Sequence, residues 1–246
     1  MSAFDAIGAS RTDVAAPTAL LERLRAALHD RDAEVTADSA TEGEVVAALA
    51  TLVPDALAMH GALGIPPDVT AATLVDVGEK HRVYGARHEL PWLLGILRGD
   101  VLSVGRLQVE RRPGATGAHG LHLPRTGPLW PHAVDTSLAR AHQLLGATRF
   151  TCTSWLLEPV LAEALPDTNI AAFARRFALD PATTAPTEAG ARSAAKFVFT
   201  SSLDVVRDPA RVSPKTRLER LVAQRLRSDA GWAEPTGVLD RSGAPS

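Results

Sequence analysis

The chain has 246 residues, of which 46% are hydrophobic, 22% charged and only 4% aromatic, and its formal net charge is −2. That length and apolar content suit one large domain or two modest ones, and the near-neutral balance speaks against a dedicated nucleic-acid binder, which carries a basic excess. The single cysteine, Cys152, precludes an intrachain disulfide, there is no leader-type N-terminus and no apolar run nears the ~20 residues of a membrane span, so a cytoplasmic protein without a membrane partner is expected.

Residues 1–16 are small and polar and are expected to be flexible. From Pro17 the period is helical, with Leu20, Leu21, Leu24 and Leu28 on one face. Thr41 and Glu44 form a capping-box pattern ahead of the apolar stripe Val45, Val46, Leu49, Leu52 and Val53. Pro54 opens another helical piece through Leu63, and Gly64 to Pro67 breaks it. The next helix turns Leu74 and Val77 inward. Pro91 and Gly99 bracket a further helix as first-turn proline and C′ glycine.

After Asp100 the period shortens to about two residues, as in strands. Strands are expected at 102–111, 118–123, 149–157, 196–200 and 232–239. Helices are expected at 131–145, 158–165, 168–177 and 214–229, with a loop at 180–193. The helical N-terminal subdomain, 17–100, is thus followed by a mixed α/β domain at 101–240 and a loose tail at 241–246, an α+β chain.

Several polar groups could carry chemistry. Alternation on the first strand places Arg106, Gln108 and Glu110 on one face, where Glu110 could act as a base and Arg106 as an anion anchor; a solvated sheet face is the plain alternative. His122 sits between Leu121 and Leu123 at a strand end, suited to a general base or to a sheet-edge hydrogen bond. His119 and His122 lie on opposite strand faces, so no metal is expected. The loop Pro124 to Trp130 precedes a helix; its amides at Thr126, Gly127 and Leu129, with Arg125, could meet a pyrophosphate. On the strand expected at 149–157, Cys152 shares a face with Ser154. A strand cysteine is more often a small buried hydrophobe than a nucleophile, and Ser154 is the better candidate for a leaving-group acid. The basic stripe Arg217, Arg220, Gln224 and Arg227 reads as a solvated helix face.

Taken in order, Gly105-Arg106-Leu107-Gln108, His122-Leu123-Pro124 with Gly127-Pro128-Leu129, Ser137-Leu138, Cys152-x-Ser154-Trp155-Leu156-Leu157 and Asn169-Ile170 with Phe173 and Phe177 resemble one family. It is the bacterial acyltransferase-domain family with a helical N-terminal domain and a GNAT-like C-terminal domain. The resemblance implies a GNAT-like mixed β-sheet flanked by helices, with acyl-CoA lying between two splayed parallel strands, here the one ending at Leu123 and the one from Arg149. The usual Arg/Gln-x-x-Gly-x-Gly/Ala phosphate loop is absent at Pro124 to Trp130.

The expected activity is acyl transfer from acetyl-CoA or another acyl-CoA, used as co-substrate with no permanently bound cofactor, to the amine of a small-molecule acceptor. Glu110, His122 and Ser154 are the expected catalytic residues. Arg106, Gln108, Cys152 and Trp155 are expected at the acceptor, and Leu123, Arg125, Thr126, Gly127 and Leu129 at the CoA. The alternatives are a non-catalytic binding protein of the same fold, or a GNAT-like enzyme of thioester hydrolysis or decarboxylation. A homodimer is compatible with the sequence, which nowhere requires it.

Overall fold

The computed structural model describes residues 2–37 and 39–242; Met1, at the start of the segment expected to be flexible, Asp38, and 243–246 of the expected tail lie outside the described residues. The chain is α+β, a helical N-terminal region followed by a mixed sheet flanked by helices. Six strands form that sheet in the order β1-β2-β3-β4-β6-β5: β1 (Val101–Val104), β2 (Leu107–Pro113), β3 (His119–His122), β4 (Arg149–Thr153), β5 (Ala178–Leu179) and β6 (Thr236–Asp240). Contacts divide the chain into two compact units, the first comprising residues to Pro113 with His122–Arg125 and Thr136–Gly146, the second the remainder.

The first unit begins with α1 (Ala3–Ala6), within the segment expected to be flexible. Ser2 closes a capping box with Asp5, and the next residue, Ile7, is fully buried. The helices α2 (Thr18–His29), α3 (Glu42–Thr51), α4 (Val53–Ala62), α5 (Pro67–Tyr84) and α6 (Leu90–Leu97) follow. Their apolar stripes supply one continuous core that includes Leu24, Leu28, Leu49, Leu74, Leu93 and Ile96. Each such side chain contributes about 1.5–3 kcal/mol on leaving water. The Thr41–Glu44 capping box is present, with Thr41 N–H donating to the Glu44 carboxylate at 2.7 Å. Gly78 has to be glycine: its N–H donates to the Ile7 carbonyl at 2.7 Å, and a Cβ there would stand 2.1 Å from the Gly8 oxygen. Among the described residues no single helix is long and apolar enough to cross a membrane.

The strand expected at 102–111 is instead a hairpin. β1 and β2 pair antiparallel from Val101↔Glu110 to Val104↔Leu107, joined by Gly105 and Arg106. Gly105 has φ +82° and Arg106 a negative φ, the backbone of a two-residue II′ turn. Arg106 therefore sits at a turn and does not share a strand face with Gln108 and Glu110.

In the second unit β3 and β4 run parallel over two pairs, His119↔Phe150 and Gly120↔Thr151, and the register does not continue to Leu121 and Cys152. β4 pairs antiparallel with β6 along its whole length. The strand expected at 149–157 stops at Thr153, and Trp155–Leu157 turns into a 3-10 helix capped by Ser154. Helix α7 (Pro131–Leu145) has the bounds expected from the sequence. Helices α8 (Pro159–Ala164), α9 (Asn169–Ala174), α10 (Glu188–Phe199), α11 (Leu203–Arg207) and α12 (Arg217–Leu226) complete the chain. The strand expected at 196–200 is the last turns of α10, a helix capped by Thr187, whose hydroxyl accepts from the Gly190 N–H at 2.9 Å, and buried through Ala191, Ala194 and Ala195. Alanine spacing and the cap outweigh the short aromatic and β-branched run.

Candidate active site

Within the first unit the hairpin brings two of the expected catalytic groups together. His122 Nε2 lies 3.0 Å from Glu110 Oε1, with side-chain exposures of 34% and 44%, so both are reachable from solvent. The imidazole meets the Trp92 ring edge-on, centroids 4.6 Å apart at 74°. A carboxylate at one ring nitrogen and an indole against the ring fix the orientation of the imidazole. With Nε2–H donated to Glu110, Nδ1 carries the lone pair and is the nitrogen able to take a proton.

The other expected residues of this unit are otherwise engaged. Gln108 is fully buried; its amide nitrogen donates to Asp76 Oδ2 at 2.8 Å and to Ser103 Oγ at 3.3 Å. That overturns its expected contact with an acceptor, because α5 covers the face that alternation left open. Asp76 pays for this burial with a carboxyl pKa raised above the usual range, chiefly by loss of solvent. Arg106 is half-buried: its backbone N–H donates to Ser137 Oγ and its guanidinium to the Pro124 carbonyl, each at 2.8 Å. It ties the turn to the segment after β3 and is a brace here, with desolvation lowering its pKa. Leu123 is half-buried and Arg125 exposed.

In the second unit Cys152 is 1% exposed, and burial pushes its thiol up to about 12. It is thus a packed hydrophobe, with no thiolate available near neutrality. Ser154 is 8% exposed; its hydroxyl oxygen accepts the Leu156 N–H at 3.2 Å, which leaves its own hydrogen uncommitted by that bond. Trp155 is 9% exposed, and its carbonyl accepts from the buried Trp232 indole at 3.0 Å. Thr126 and Gly127 are exposed, and Gly127 takes φ +93° with open space where a Cβ would stand. Leu129 is buried at 6%, a packing residue whose backbone alone could meet a ligand.

Sequence reasoning left out Trp92, which meets the histidine, and Lys80 and Tyr84, which join Trp92 through the Lys80 ammonium. The Lys80 ammonium lies 5.5 Å from the Trp92 ring centroid and 5.8 Å from that of Tyr84. The available signal was the i, i+4 spacing of Asp76, Lys80 and Tyr84, which puts all three on one stripe of α5. A second feature beside Glu110 is a cleft of about 260 Å³ lined by Arg31, Pro91, Trp92, Gly95, Arg98, Asp100, Val101, Glu110 and Arg112.

Comparison with known proteins agrees with this architecture. Residues 3–99 match the N-acyltransferase N-terminal domain and residues 101–239 the GNAT-like C-terminal domain. A crystal structure of an acyltransferase in complex with decanoyl-CoA and teicoplanin superposes with a TM-score of 0.80 at 26% identity, over 97% of this chain and 86% of that one. A second, in complex with CoA and 10C-teicoplanin, gives 0.80 at 25% identity over the same shares. A third, in complex with decanoyl-CoA, gives 0.74 at 27% identity over 90% of this chain and 76% of that one. No curated protein matches the chain.

Proposed function

Given that the chain belongs to the acyltransferase family that joins an N-acyltransferase N-terminal domain to a GNAT-like C-terminal domain, we propose that it moves an acyl group from acyl-CoA to the amine of a small-molecule acceptor. The observation that carries this reading is the His122–Glu110 pair at 3.0 Å, partly open to solvent and buttressed by Trp92. His122 Nδ1 takes a proton from the acceptor's ammonium, and Glu110 stabilises the imidazolium that results. The freed amine attacks the thioester carbonyl, the C–S bond breaks, and CoA leaves as a thiolate that needs a proton. Ser154 is the proposed donor, its hydroxyl passing a hydrogen to the thiolate while it takes up the proton that the acylated nitrogen sheds. Holding amine and thioester together supplies much of the acceleration.

Support for acyl-CoA as co-substrate comes from the relatives, whose structures contain CoA or decanoyl-CoA. In this chain the end of β3–β4 pairing after Gly120↔Thr151 leaves strand edges that pantetheine amides can join. The exposed backbone at Thr126 and Gly127 is the proposed pyrophosphate contact, with Arg125 and Leu123 nearby in sequence. A cytoplasmic location, where acyl-CoA is made, belongs to the same proposal, as does a homodimeric state, which sedimentation velocity reads directly.

The test is titration calorimetry with acetyl-CoA, octanoyl-CoA and decanoyl-CoA, followed by turnover with a panel of small amines, reading free thiol and acylated product. Saturable binding and an N-acylated product are expected. Free acid in place of acylated amine would make the chain a thioester hydrolase, and no binding to any of the three would remove the acyl-CoA reading.

A further inference from the structure

The cleft beside Glu110 carries an unbalanced charge. Its lining has three guanidinium groups, Arg31, Arg98 and Arg112, against two carboxylates, Asp100 and Glu110. Asp100 is taken up by Arg31 and by Arg98, the latter at 2.9 Å, and Arg98 also donates to the Ala27 carbonyl at 2.9 Å. Glu110 is paired with His122. The Arg112 side chain makes no hydrogen bond or ion pair among the described residues, and its charge lies close enough to Arg111 to depress that neighbour's pKa after desolvation has done so. Arg111 itself points elsewhere, donating to the Gly99 carbonyl at 3.0 Å.

Glu110 and Arg112 stand two positions apart on β2 and therefore on one face, about 7 Å apart along the strand. An anion site and a cation site at that spacing, with Trp92, Pro91 and Val101 as apolar walls, match a molecule bearing both an ammonium and a carboxylate. We infer that this cleft is the acceptor subsite and that it selects an amine that also carries a carboxylate, held by Arg112 while Glu110 draws the ammonium toward His122. The inference rests on the acyl-transfer reading and deepens it by naming the acceptor class. Arg112 is a specificity residue here and takes no part in bond making. Gly95 sets the room available: a Cβ there would meet only the Asp100 Cβ, at 4.0 Å, so an alanine fits and narrows the cleft.

The experiment compares phenylalanine with phenylalaninamide, in which a neutral carboxamide replaces the carboxylate, as acceptors and as calorimetric ligands of the full chain, at a pH where both amines are protonated. Wild type is expected to prefer phenylalanine by about tenfold in KM, and Arg112→Ala to bring that ratio close to one with the KM for acyl-CoA unmoved. Gly95→Ala is expected to weaken phenylalanine and phenylalaninamide alike, several-fold, with the melting temperature retained. A ratio near one in wild type, or a tenfold ratio that survives in Arg112→Ala, overturns the subsite while acyl transfer stands. Should no amine be acylated at all, the acyl-transfer reading fails and calorimetry still decides the cleft. In that case a phenylalanine preference lost in Arg112→Ala supports the site, and absence of binding by either ligand overturns it.

Discussion

At the scale of single residues, His122 is the group whose surroundings are most specific. Its ring is held by a charge on one side and an aromatic edge on the other. His122→Ala is expected to lower kcat by about 10²- to 10⁴-fold with the KM for acyl-CoA little changed, read by steady-state kinetics. Cys152 makes the opposite case. A thiol at about 12 in a fully packed setting offers no nucleophile, so Cys152→Ala is expected to leave kcat within about twofold and to cost only stability. Mass spectrometry after iodoacetamide treatment of the native protein is expected to find it unmodified. The sequence pattern singled out Glu110 and His122, and the structure brings their side chains to 3.0 Å. That pattern could not show that Gln108, two residues before Glu110 on the same face, lies beneath α5, because that cover comes from a helix distant in sequence.

Secondary-structure elements were legible wherever the end signals are local. The capping box at Thr41 and the Pro91 and Gly99 brackets of α6 are written in neighbouring residues, and all are present; the structure adds a further box at Thr216. Thr216 N–H and Glu219 N–H are both satisfied by the box. Thr216→Ala is expected to destabilise the protein by about 1 kcal/mol, measured by urea unfolding. The β1–β2 hairpin stood where one strand was expected, although its signal is local. Apolar positions run 102 and 104, then 107 and 109, and that change of phase marks the turn at Gly105 and Arg106. The run Lys196 to Thr200 misleads because five residues cannot separate strand from helix, and the deciding cap, Thr187, lies well upstream.

For the whole molecule, the buried histidine of the helical unit sets a pH response. His60 is wholly buried, its Nδ1 3.3 Å from Thr70 Oγ1 and its Nε2 3.2 Å from the Ile96 carbonyl. Burial lowers its pKa below the ordinary imidazole value. The unfolded chain therefore binds the proton first as pH falls below about 6.5, and stability declines from there until the folded form also protonates. His60→Gln is expected to shallow the fall in urea midpoint between pH 7 and pH 5, compared with wild type. Another trait of the whole chain follows from the backbone contact between Ile7 and Gly78. The first helix packs on α3 and α4 as well as α5, so the Ile7–Gly78 bond is a late clasp: it closes only after about seventy further residues have been made, tying the start of the helical unit to its longest helix.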